Sequence, residues 1–252
     1  MSEKPWLSII TVVYNSENLL QGTIDSIAAQ SLQNFQYIIV DGKSNDGTLD
    51  IIKNNQQHIS KWISEVDSGL YDAMNKALEM ADGKYVWFIN SGDKLMNTNT
   101  IEDLYNQAVE NNFPDIIYGE TMIIDENDEI IGPRRLKTPD NLQWKSLKNG
   151  LVVCHQSILV SKEVAPKYNL KYTIAADYDW ILQSLKNSTN ILNSKIVLSK
   201  YLDNGFSKNN IRKALRQRFG IMIRFYGFIP TLLQHFIIGF KFFTFLIKNR
   251  RF

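Results

Sequence analysis

Acidic and amide side chains follow four apolar segments in the first hundred residues of the chain. The residues at these positions are Tyr14-Asn15, Asp41, Asp67 and Asp93. Carboxylate oxygens can accept a hydrogen bond from a nucleotide base, bind a divalent cation or take up a proton. Each aspartate alone is also explained as a turn residue or a helix cap, but their recurrence at segment ends favours one shared site.

Strand and helix signals alternate around these residues. Near-continuous apolar runs predict strands over residues 7–14, 37–40 and 85–89, and a short strand is predicted near residues 61–63. Helical patterns lie between them, up to residue 30, after residue 46 and over residues 70–81. This alternation predicts an α/β fold with a mainly parallel sheet flanked by helices. Ligands of such sheets bind beyond the carboxyl ends of the strands, so we expect the four segment ends to form one acidic crevice.

The pattern is less regular after Thr100. We predict a helix to residue 112, a strand over 115–125, a helix over 139–148, a strand over 152–160, a helix over 177–186 and a strand over 196–201. His155 lies in the predicted strand over 152–160. A lone histidine in an apolar stretch is usually a core residue, so the residue pattern alone gives His155 no special role.

The composition limits the class of protein. The chain has 252 residues, of which 44% are hydrophobic, enough for one large domain or one domain with an appendage. The single cysteine, Cys154, excludes an internal disulfide framework and suits a reducing, cytoplasmic compartment. The short apolar run near the amino terminus reads as a strand, and we expect no signal peptide.

Residues 205–252 differ from the rest of the chain in charge. They contain ten Lys and Arg and no acid, so the net charge of +2 leaves −8 on residues 1–204. Apolar residues recur at helical spacing over 208–226, and residues 225–247 form a segment long enough to span a bilayer. A polar stripe runs along this second segment and consists of Thr231, Gln234, Lys241 and Lys248. A spanning helix would bury the stripe, at a cost of roughly 2.5–3.5 kcal/mol for one central lysine.

We therefore predict that residues 205–252 form amphipathic helices that lie on an anionic membrane surface. There are two alternatives. The segment could contact the core or a second subunit, so that an oligomer is possible, or it could form a true membrane span. No recognition motif for nucleic acid accompanies the basic charge, so we predict no nucleic-acid partner.

Five segments of the chain carry a specific resemblance. They are LSIITVVYN, VDGKSNDGT, EVDSGLYDAMNKALEMADGKYVWFINSGD, CHQS and AADYDW, and the match covers roughly residues 7–201. In this order and spacing they resemble the family 2 glycosyltransferases of bacterial polysaccharide biosynthesis. The resemblance implies the GT-A fold over residues 1–204, with a donor half (about 1–95), an acceptor half (about 96–204) and a separate C-terminal segment, 205–252.

The resemblance also implies which residues bind the nucleotide-sugar donor. Tyr14 and Asn15 would border the nucleotide base. Asp41 would accept a hydrogen bond from the imide N–H of that base, and Asp67 would face the ribose and the phosphates. The remaining residues implied in the donor pocket are Asp72, Asn75, Lys76 and Ser91.

A metal ion and a phosphate contact are implied as well. Asp93 would hold Mg²⁺ or Mn²⁺ on the donor diphosphate. Asn90 and Gly92 stand where many members of the family carry two further acids. His155 would contact the phosphates or the metal.

Asp177 aligns with the second acid of the family's Glu-Asp motif, which is the general base, and Ala176 replaces the glutamate. An ionised aspartate takes the proton of the acceptor hydroxyl as attack develops, which typically contributes about 10²–10⁴-fold to the rate. Asp179 is the competing choice for this role, and a third possibility is that neither residue is the base.

These observations predict an inverting, metal-dependent glycosyltransferase. It would move a sugar from a nucleotide sugar, a UDP-sugar, to a hydroxyl of a saccharide or lipid-linked saccharide at the cytoplasmic face of the cell membrane. The replacements at Asn90, Gly92 and Ala176 leave open a catalytically inactive scaffold that binds nucleotides or glycans. A nucleotidyltransferase on a similar sheet is a more distant alternative.

Overall fold

The computed structural model describes the backbone of residues 4–203 and 210–249, and the side chains of residues 4–203 and 210–239. The nine strands within these ranges form one sheet. Helices cover both faces of the sheet, and a buried hydrophobic cluster lies on each face.

The first half of the chain forms the parallel part of the sheet. Its strands are β1 (Leu7–Val13), β2 (Gln36–Asp41), β3 (Lys61–Ser64) and β4 (Tyr85–Phe88). The helices between them are α1 (Leu20–Ala28), α2 (Thr48–Asn54) and α3 (Leu70–Met80). The strands lie in the order β3-β2-β1-β4, and all neighbouring pairs are parallel. Every residue of β1 and β4 is buried, which explains their continuous apolar sequences.

The second half of the chain extends the same sheet with mixed pairing. Its elements are β5 (Lys94–Leu95), α4 (Thr100–Glu110), β6 (Ile116–Ile124), β7 (Ile130–Pro133), β8 (Ile158–Ser161), α5 (Ala176–Asn187) and β9 (Ile191–Leu202). Strand β8 is antiparallel to both β4 and β6, whereas β6 and β9 are parallel. The two short strands β5 and β7 pair antiparallel with β9 and β6, and the sequence pattern did not predict them.

Two predicted elements are wrong. Residues 152–157 are not a strand, because His155–Ser157 form a short 3-10 helix and β8 begins only at Ile158. The Ser157 N–H donates to the Cys154 carbonyl, and the Trp87 indole donates to the Gln156 carbonyl, so this turn replaces the sheet ladder. Residues 139–148 are not an α-helix, because only Trp144–Asn149 is helical, as a 3-10 turn.

Two helices follow residue 209. Helix α6 spans Ile211–Tyr226 and α7 spans Phe228–Asn249. Ile221 and Met222 of α6 are buried in one of the two hydrophobic clusters, so this helix packs on the body of the protein. Gly227 joins the two helices with a φ of +86°, a conformation that favours glycine.

Apolar side chains of α7 are exposed over its first half, as at Ile229, Leu233 and Phe236. In the described part of the chain, no helix combines the length and the apolar character that crossing a membrane requires. The predicted polar stripe is described only at Thr231 and Gln234, since the side chains of Lys241 and Lys248 lie outside the described residues. The start of the predicted tail helix at 208 also lies outside them.

Candidate functional site

A cavity of about 410 Å³ opens at the carboxyl ends of β1 and β4. Residues 12–14 line one wall, and the turn of Asn90–Asp93 lines the next. The 3-10 turn at Cys154–Gln156 and the first turn of α5 complete the enclosure, together with α6. Strand ends from the first half of the chain and helices from its second half therefore meet around one space.

Asp93 is buried in the wall of this cavity, with only 4% of its surface exposed. One carboxylate oxygen, Oδ1, accepts the Leu202 N–H at 3.0 Å, and Oδ2 accepts the Gln156 amide at 2.8 Å. Burial raises the pKa of Asp93 to about 7, although these hydrogen bonds favour the charged form. The neighbouring Gly92 has a φ of +93°, and a Cβ there would lie 2.9 Å from the Leu202 side chain. Glycine therefore permits both the turn and its close contact with Leu202.

The same turn carries oxygen atoms that have no partner. Asn90 Oδ1 and Ser91 Oγ are buried without a hydrogen bond, and both residues line the cavity. Each carboxylate oxygen of Asp93 also retains a lone pair beyond its one hydrogen bond. Hard cations such as Mg²⁺ take oxygen ligands of these kinds. A protein commonly binds Mg²⁺ through one or two carboxylates, and the phosphates of the substrate supply further ligands. The turn therefore fits a divalent cation whose remaining ligands come from a bound molecule.

No ready-made metal cage accompanies this turn. Within the described residues, no group of three or more His, Cys, Asp or Glu side chains could hold a metal ion. Asp93 as the metal ligand therefore stays a prediction, with Asn90 as its neutral neighbour.

Asp177 lines the cavity from the first turn of α5, and it is half-buried. Its Oδ1 accepts the Tyr178 N–H at 2.8 Å and lies 3.4 Å from the Tyr71 hydroxyl. The Tyr71 hydroxyl donates to the Ile174 carbonyl at 2.8 Å, which holds that ring beside the carboxylate. These contacts fix Asp177 with its carboxylate in the wall of the cavity.

Asp179, the competing candidate base, has a different environment. It is fully buried and forms an ion pair with Arg224 of α6, and its Oδ2 accepts the Gln183 amide at 2.9 Å. Burial raises the pKa of Asp179, and the Arg224 charge opposes that shift. Asp179 does not line the cavity. The structure therefore brings Asp177, and not Asp179, to the space that a substrate can enter.

His155 lines the cavity from the 3-10 turn. Its ring stacks on Phe88 with centroids 5.1 Å apart, and its Nε2 lies 2.6 Å from the Tyr168 hydroxyl. Burial lowers the pKa of His155 to about 4, so the imidazole is neutral at pH 7. The predicted contact with phosphate or metal would therefore come from a neutral ring.

Three residues of α3 that we predicted in the donor pocket do not line the cavity. Asn75 holds the backbone of Tyr168 on both sides, with hydrogen bonds of 3.0 and 2.7 Å. Lys76 pairs with Glu65 at 2.9 Å. Asp72 accepts the Ser68 N–H at 2.9 Å ahead of the helix. In this structure they organise the cavity's surroundings, and a direct donor contact stays a prediction.

The predicted base-binding residues lie around the loop after β2. Tyr14 is 63% exposed and lines the cavity, whereas Asn15 accepts the Asn45 N–H at 3.0 Å. Gly42 lies between Tyr14 and Asp67, since a Cβ there would be 2.5 Å from Asp67 Oδ2 and 3.4 Å from the Tyr14 ring. Tyr14 and Asp67 therefore lie near each other, with Gly42 leaving the space between them open.

Asp41 does not reach the surface of this loop. It is fully buried, and its carboxylate accepts hydrogen bonds from the Ser44 N–H at 3.0 Å, the Ser44 hydroxyl and the Ser64 hydroxyl at 2.6 Å. These bonds hold the loop of residues 42–47 in place. The predicted hydrogen bond to a nucleotide base stays a prediction, and it requires a partner to displace one of these serines.

Sequence reasoning missed several residues of the cavity wall. They are Arg134, Tyr201 and Arg218. No motif marks them, because they come from a loop, the end of β9 and a helix that the sequence assigned to membrane association. Only the path of the chain brings them to the strand ends.

A family model described as "Glycosyl transferase family 2" matches residues 8–167. Among curated proteins, a PGL/p-HBAD biosynthesis glycosyltransferase of Mycobacterium tuberculosis is 29% identical over 215 residues, which cover 82% of this chain and 80% of that protein. The UDP-Glc:alpha-D-GlcNAc-diphosphoundecaprenol beta-1,3-glucosyltransferase WfgD of Escherichia coli is 27% identical over 251 residues, 96% of this chain and 97% of WfgD.

Solved structures resemble the whole arrangement. S. aureus TarS 1–349 superposes with a TM-score of 0.71 at 18% identity, over 91% of this chain and 71% of that one. Its complex with UDP-GlcNAc superposes with a TM-score of 0.68, over 86% of this chain and 66% of that one. The predicted GT-A type α/β fold is thereby confirmed.

Proposed function

Because the chain belongs to glycosyl transferase family 2 and is a glycosyltransferase, we propose that it inverts the anomeric centre of a UDP-sugar as it transfers that sugar. The acceptor is a hydroxyl of a saccharide. In the synthesis of cell-surface polysaccharide, that saccharide is linked to a lipid diphosphate. Two comparisons support the choice of substrates. WfgD is named for UDP-Glc and a diphosphoundecaprenol-linked acceptor, and TarS has been crystallised with UDP-GlcNAc.

The observation that carries this proposal is the placement of Asp177 and the Asn90–Asp93 turn in one cavity. A carboxylate that accepts a proton and a set of oxygens that suits a cation on a diphosphate are the two parts that a single displacement needs. They belong to different halves of the chain and meet at the carboxyl ends of the strands, where α/β sheets bind ligands.

Asp177 takes the proton of the acceptor hydroxyl while that oxygen forms a bond to the anomeric carbon. The bond from this carbon to the diphosphate breaks on the opposite face, and the nucleoside diphosphate leaves with the electron pair. Because attack and departure occur on opposite faces, the configuration inverts. Tyr71 and the Tyr178 N–H keep the carboxylate of Asp177 oriented through their contacts of 3.4 and 2.8 Å.

In this proposal Asp93 and Asn90 would hold Mg²⁺ or Mn²⁺, with Ser91 beside them. A bound cation would offset the charge that develops on the leaving diphosphate. Tyr14 lines the cavity, and Asp67 lies near it on the other side of Gly42. In this proposal both residues contact the nucleoside of the donor.

The C-terminal helices bring the enzyme to its acceptor at the inner face of the cell membrane. Basic side chains of α6 are exposed at Arg212, Lys213 and Arg216. The exposed apolar residues of α7 follow directly in the chain. Both features suit adsorption on an anionic lipid surface, where each basic residue adds about 1 kcal/mol.

The test is turnover with a panel of UDP- and GDP-sugars and a saccharide-diphosphate-lipid acceptor. We expect Asp177→Asn to lower kcat by about 10²–10⁴-fold because the amide cannot take the proton. Asp179→Asn is the comparison variant, and its kcat should fall far less, since Asp179 faces Arg224. Equal activity of wild type and Asp177→Asn would refute the assignment. Binding of nucleotide without transfer to any acceptor would instead support the inactive scaffold.

A further inference from the structure

Two arginines line the cavity with parts of their guanidinium groups unpaired. Arg134 donates from Nη2 to the Leu151 carbonyl at 3.0 Å, while its Nη1 is buried without a hydrogen-bond partner. An unsatisfied buried donor is costly, and a charged one more so. One hydrogen bond from Nη2 therefore anchors the guanidinium group of Arg134, and Nη1 remains available to a ligand.

Arg218 presents the same feature from α6. Its Nε is buried without a partner, and its guanidinium lies over the Tyr178 ring, 6.0 Å from the centroid. Tyr178 follows Asp177 in the chain, so this cation stands near the proposed base. Cation–π contact with a tyrosine orients the guanidinium but leaves its hydrogen-bond donors unused.

Neither arginine is neutralised by an acid in the part of the chain that the structure describes. The ion pairs found there involve Arg224 and several lysines, but not Arg134 or Arg218. The exposed neighbours Arg135 and Arg216 do not line the cavity. The two cavity arginines therefore differ from the surface cations beside them.

The charge in the cavity favours an anionic ligand that carries phosphate. Its wall holds the carboxylates of Asp93 and Asp177 and the guanidiniums of Arg134 and Arg218. A nucleoside diphosphate brings at least two further negative charges beside those carboxylates. Arginine forks match phosphate oxygens in geometry and remain charged when partly buried, so they lower the cost of bringing a diphosphate into this space.

We propose that Arg134 and Arg218 bind phosphate groups in the cavity, as cations that the protein supplies in addition to any metal ion. This inference rests on the proposed function. The phosphate comes from one of two sources, the diphosphate of the nucleotide sugar or the diphosphate of a lipid-linked acceptor. Arg134 adjoins the wall that contains Cys154, and Arg218 stands beside the proposed base on the helix that leads to α7.

The experiment compares UDP with uridine, which lacks the phosphates, by titration calorimetry on the full chain. The variants are Arg134→Gln and Arg218→Gln, and the matched control is Arg135→Gln. If the donor supplies the phosphate, the Kd for UDP rises roughly ten- to hundred-fold in the cavity variants, while the Kd for uridine does not change and the control binds both ligands as wild type does.

A second arm tests the acceptor. The KM for a saccharide-diphosphate-lipid is compared with the KM for the same saccharide as an uncharged alkyl glycoside. If the acceptor supplies the phosphate, a cavity variant raises the first KM and leaves the second KM and the UDP affinity unchanged.

Lysine variants and thermal unfolding show whether a loss of binding is a loss of fold. Arg134→Lys and Arg218→Lys keep the charge without the fork and should retain part of the phosphate-dependent affinity. The inference is overturned if wild type transfers sugar and the Gln variants match it with every ligand, or if UDP and uridine binding weaken equally. Arginine-dependent UDP binding without any transfer would overturn the proposed reaction alone.

Discussion

Asp93 and Asn90 show how neighbouring residues of one turn acquire different states. Asp93 is buried and its two oxygens each accept one hydrogen bond, whereas Asn90 Oδ1 has no partner. The sequence drew attention to the carboxylate because acidic side chains are common ligands of metal ions. The unpaired amide oxygen became visible only with the surroundings of the turn, and it makes a neutral ligand available beside the acid.

His155 gives a test at the level of a single residue, since its folded-state pKa of about 4 lies below the value of 6.5 in an unfolded chain. Between these values the unfolded state binds a proton that the folded state does not. The stability that neutral His155 contributes is therefore present above pH 6.5 and is lost as the pH falls towards 4. The pKa difference corresponds to about 3 kcal/mol.

We expect His155→Gln, which does not titrate, to close most of its stability gap to wild type as the pH falls from 7 to 4. Urea denaturation at several pH values measures the difference in unfolding free energy. The raised pKa of Asp93 changes stability in the opposite direction over this range. Because both proteins contain Asp93, its contribution cancels in the difference between them, and the comparison isolates His155. A difference that stays constant with pH would contradict the neutral, buried state of His155.

At the scale of elements, α6 joins the C-terminal part of the chain to the segment that carries Asp177. Gln217 Oε1 accepts the N–H groups of Ile174 and Ala175, at 3.0 and 3.1 Å, directly before α5. Arg224 of the same helix pairs with Asp179. Helix α6 thus contacts the start of α5 in two places, so the C-terminal segment has a positioning role besides the proposed contact with lipid.

Gln217→Ala should therefore lower kcat with little change in the donor KM, because two backbone donors lose their acceptor and Asp177 loses its fixed position. We expect a fall of about tenfold or more, as small misplacements of catalytic groups carry large costs. Gln217→Glu retains an oxygen at the same place and should keep most of the activity. Steady-state kinetics with a short, detergent-soluble acceptor measure this effect apart from membrane binding. Equal kcat for the Ala variant and wild type would exclude the positioning role.

At the scale of the whole molecule, charge and apolar surface are segregated. The acidic body surrounds the cavity, and the described part of the C-terminal segment adds exposed basic residues on α6 and exposed apolar residues on α7. The division into a domain of residues 1–204 and a segment of residues 205–252 stays a prediction. Burial of Ile221 and Met222 in the core shows that α6 packs on the body.

Flotation with vesicles tests the membrane contact. We expect the full chain to float with vesicles that contain anionic lipid, and less so at high salt, because the basic residues act through screened charges. Serine at Ile229, Leu233 and Phe236 should reduce partitioning by roughly tenfold or more for each apolar side chain removed. Serine at Ile130 and Ile131, exposed apolar residues of β7, is the matched control. Equal flotation of wild type and the α7 variant would exclude this helix as the contact.

The sequence was sufficient for the family, for the GT-A type fold and for strands β1 to β4 with helices α1 to α3. Strands β1, β2 and β4 have continuous apolar runs and are buried throughout, as those runs indicate. The prediction of a strand was wrong over residues 152–157, because His155–Ser157 form a turn. The side chains of Gln156 and Ser157 bond there to Asp93 and to the Glu120 carbonyl, and no local pattern records partners so distant in the chain.

The amino-acid sequence by itself determined which residues are able to do chemistry, because residue type and strand ends are local properties. Tertiary structure alone decided which of them share a space. It placed Asp177 in the cavity and Asp179 against Arg224, buried Asp41 among serines, and brought Arg218 from the far end of the chain. Contacts between distant segments depend on how helices and strands pack, and packing is a property of the complete fold.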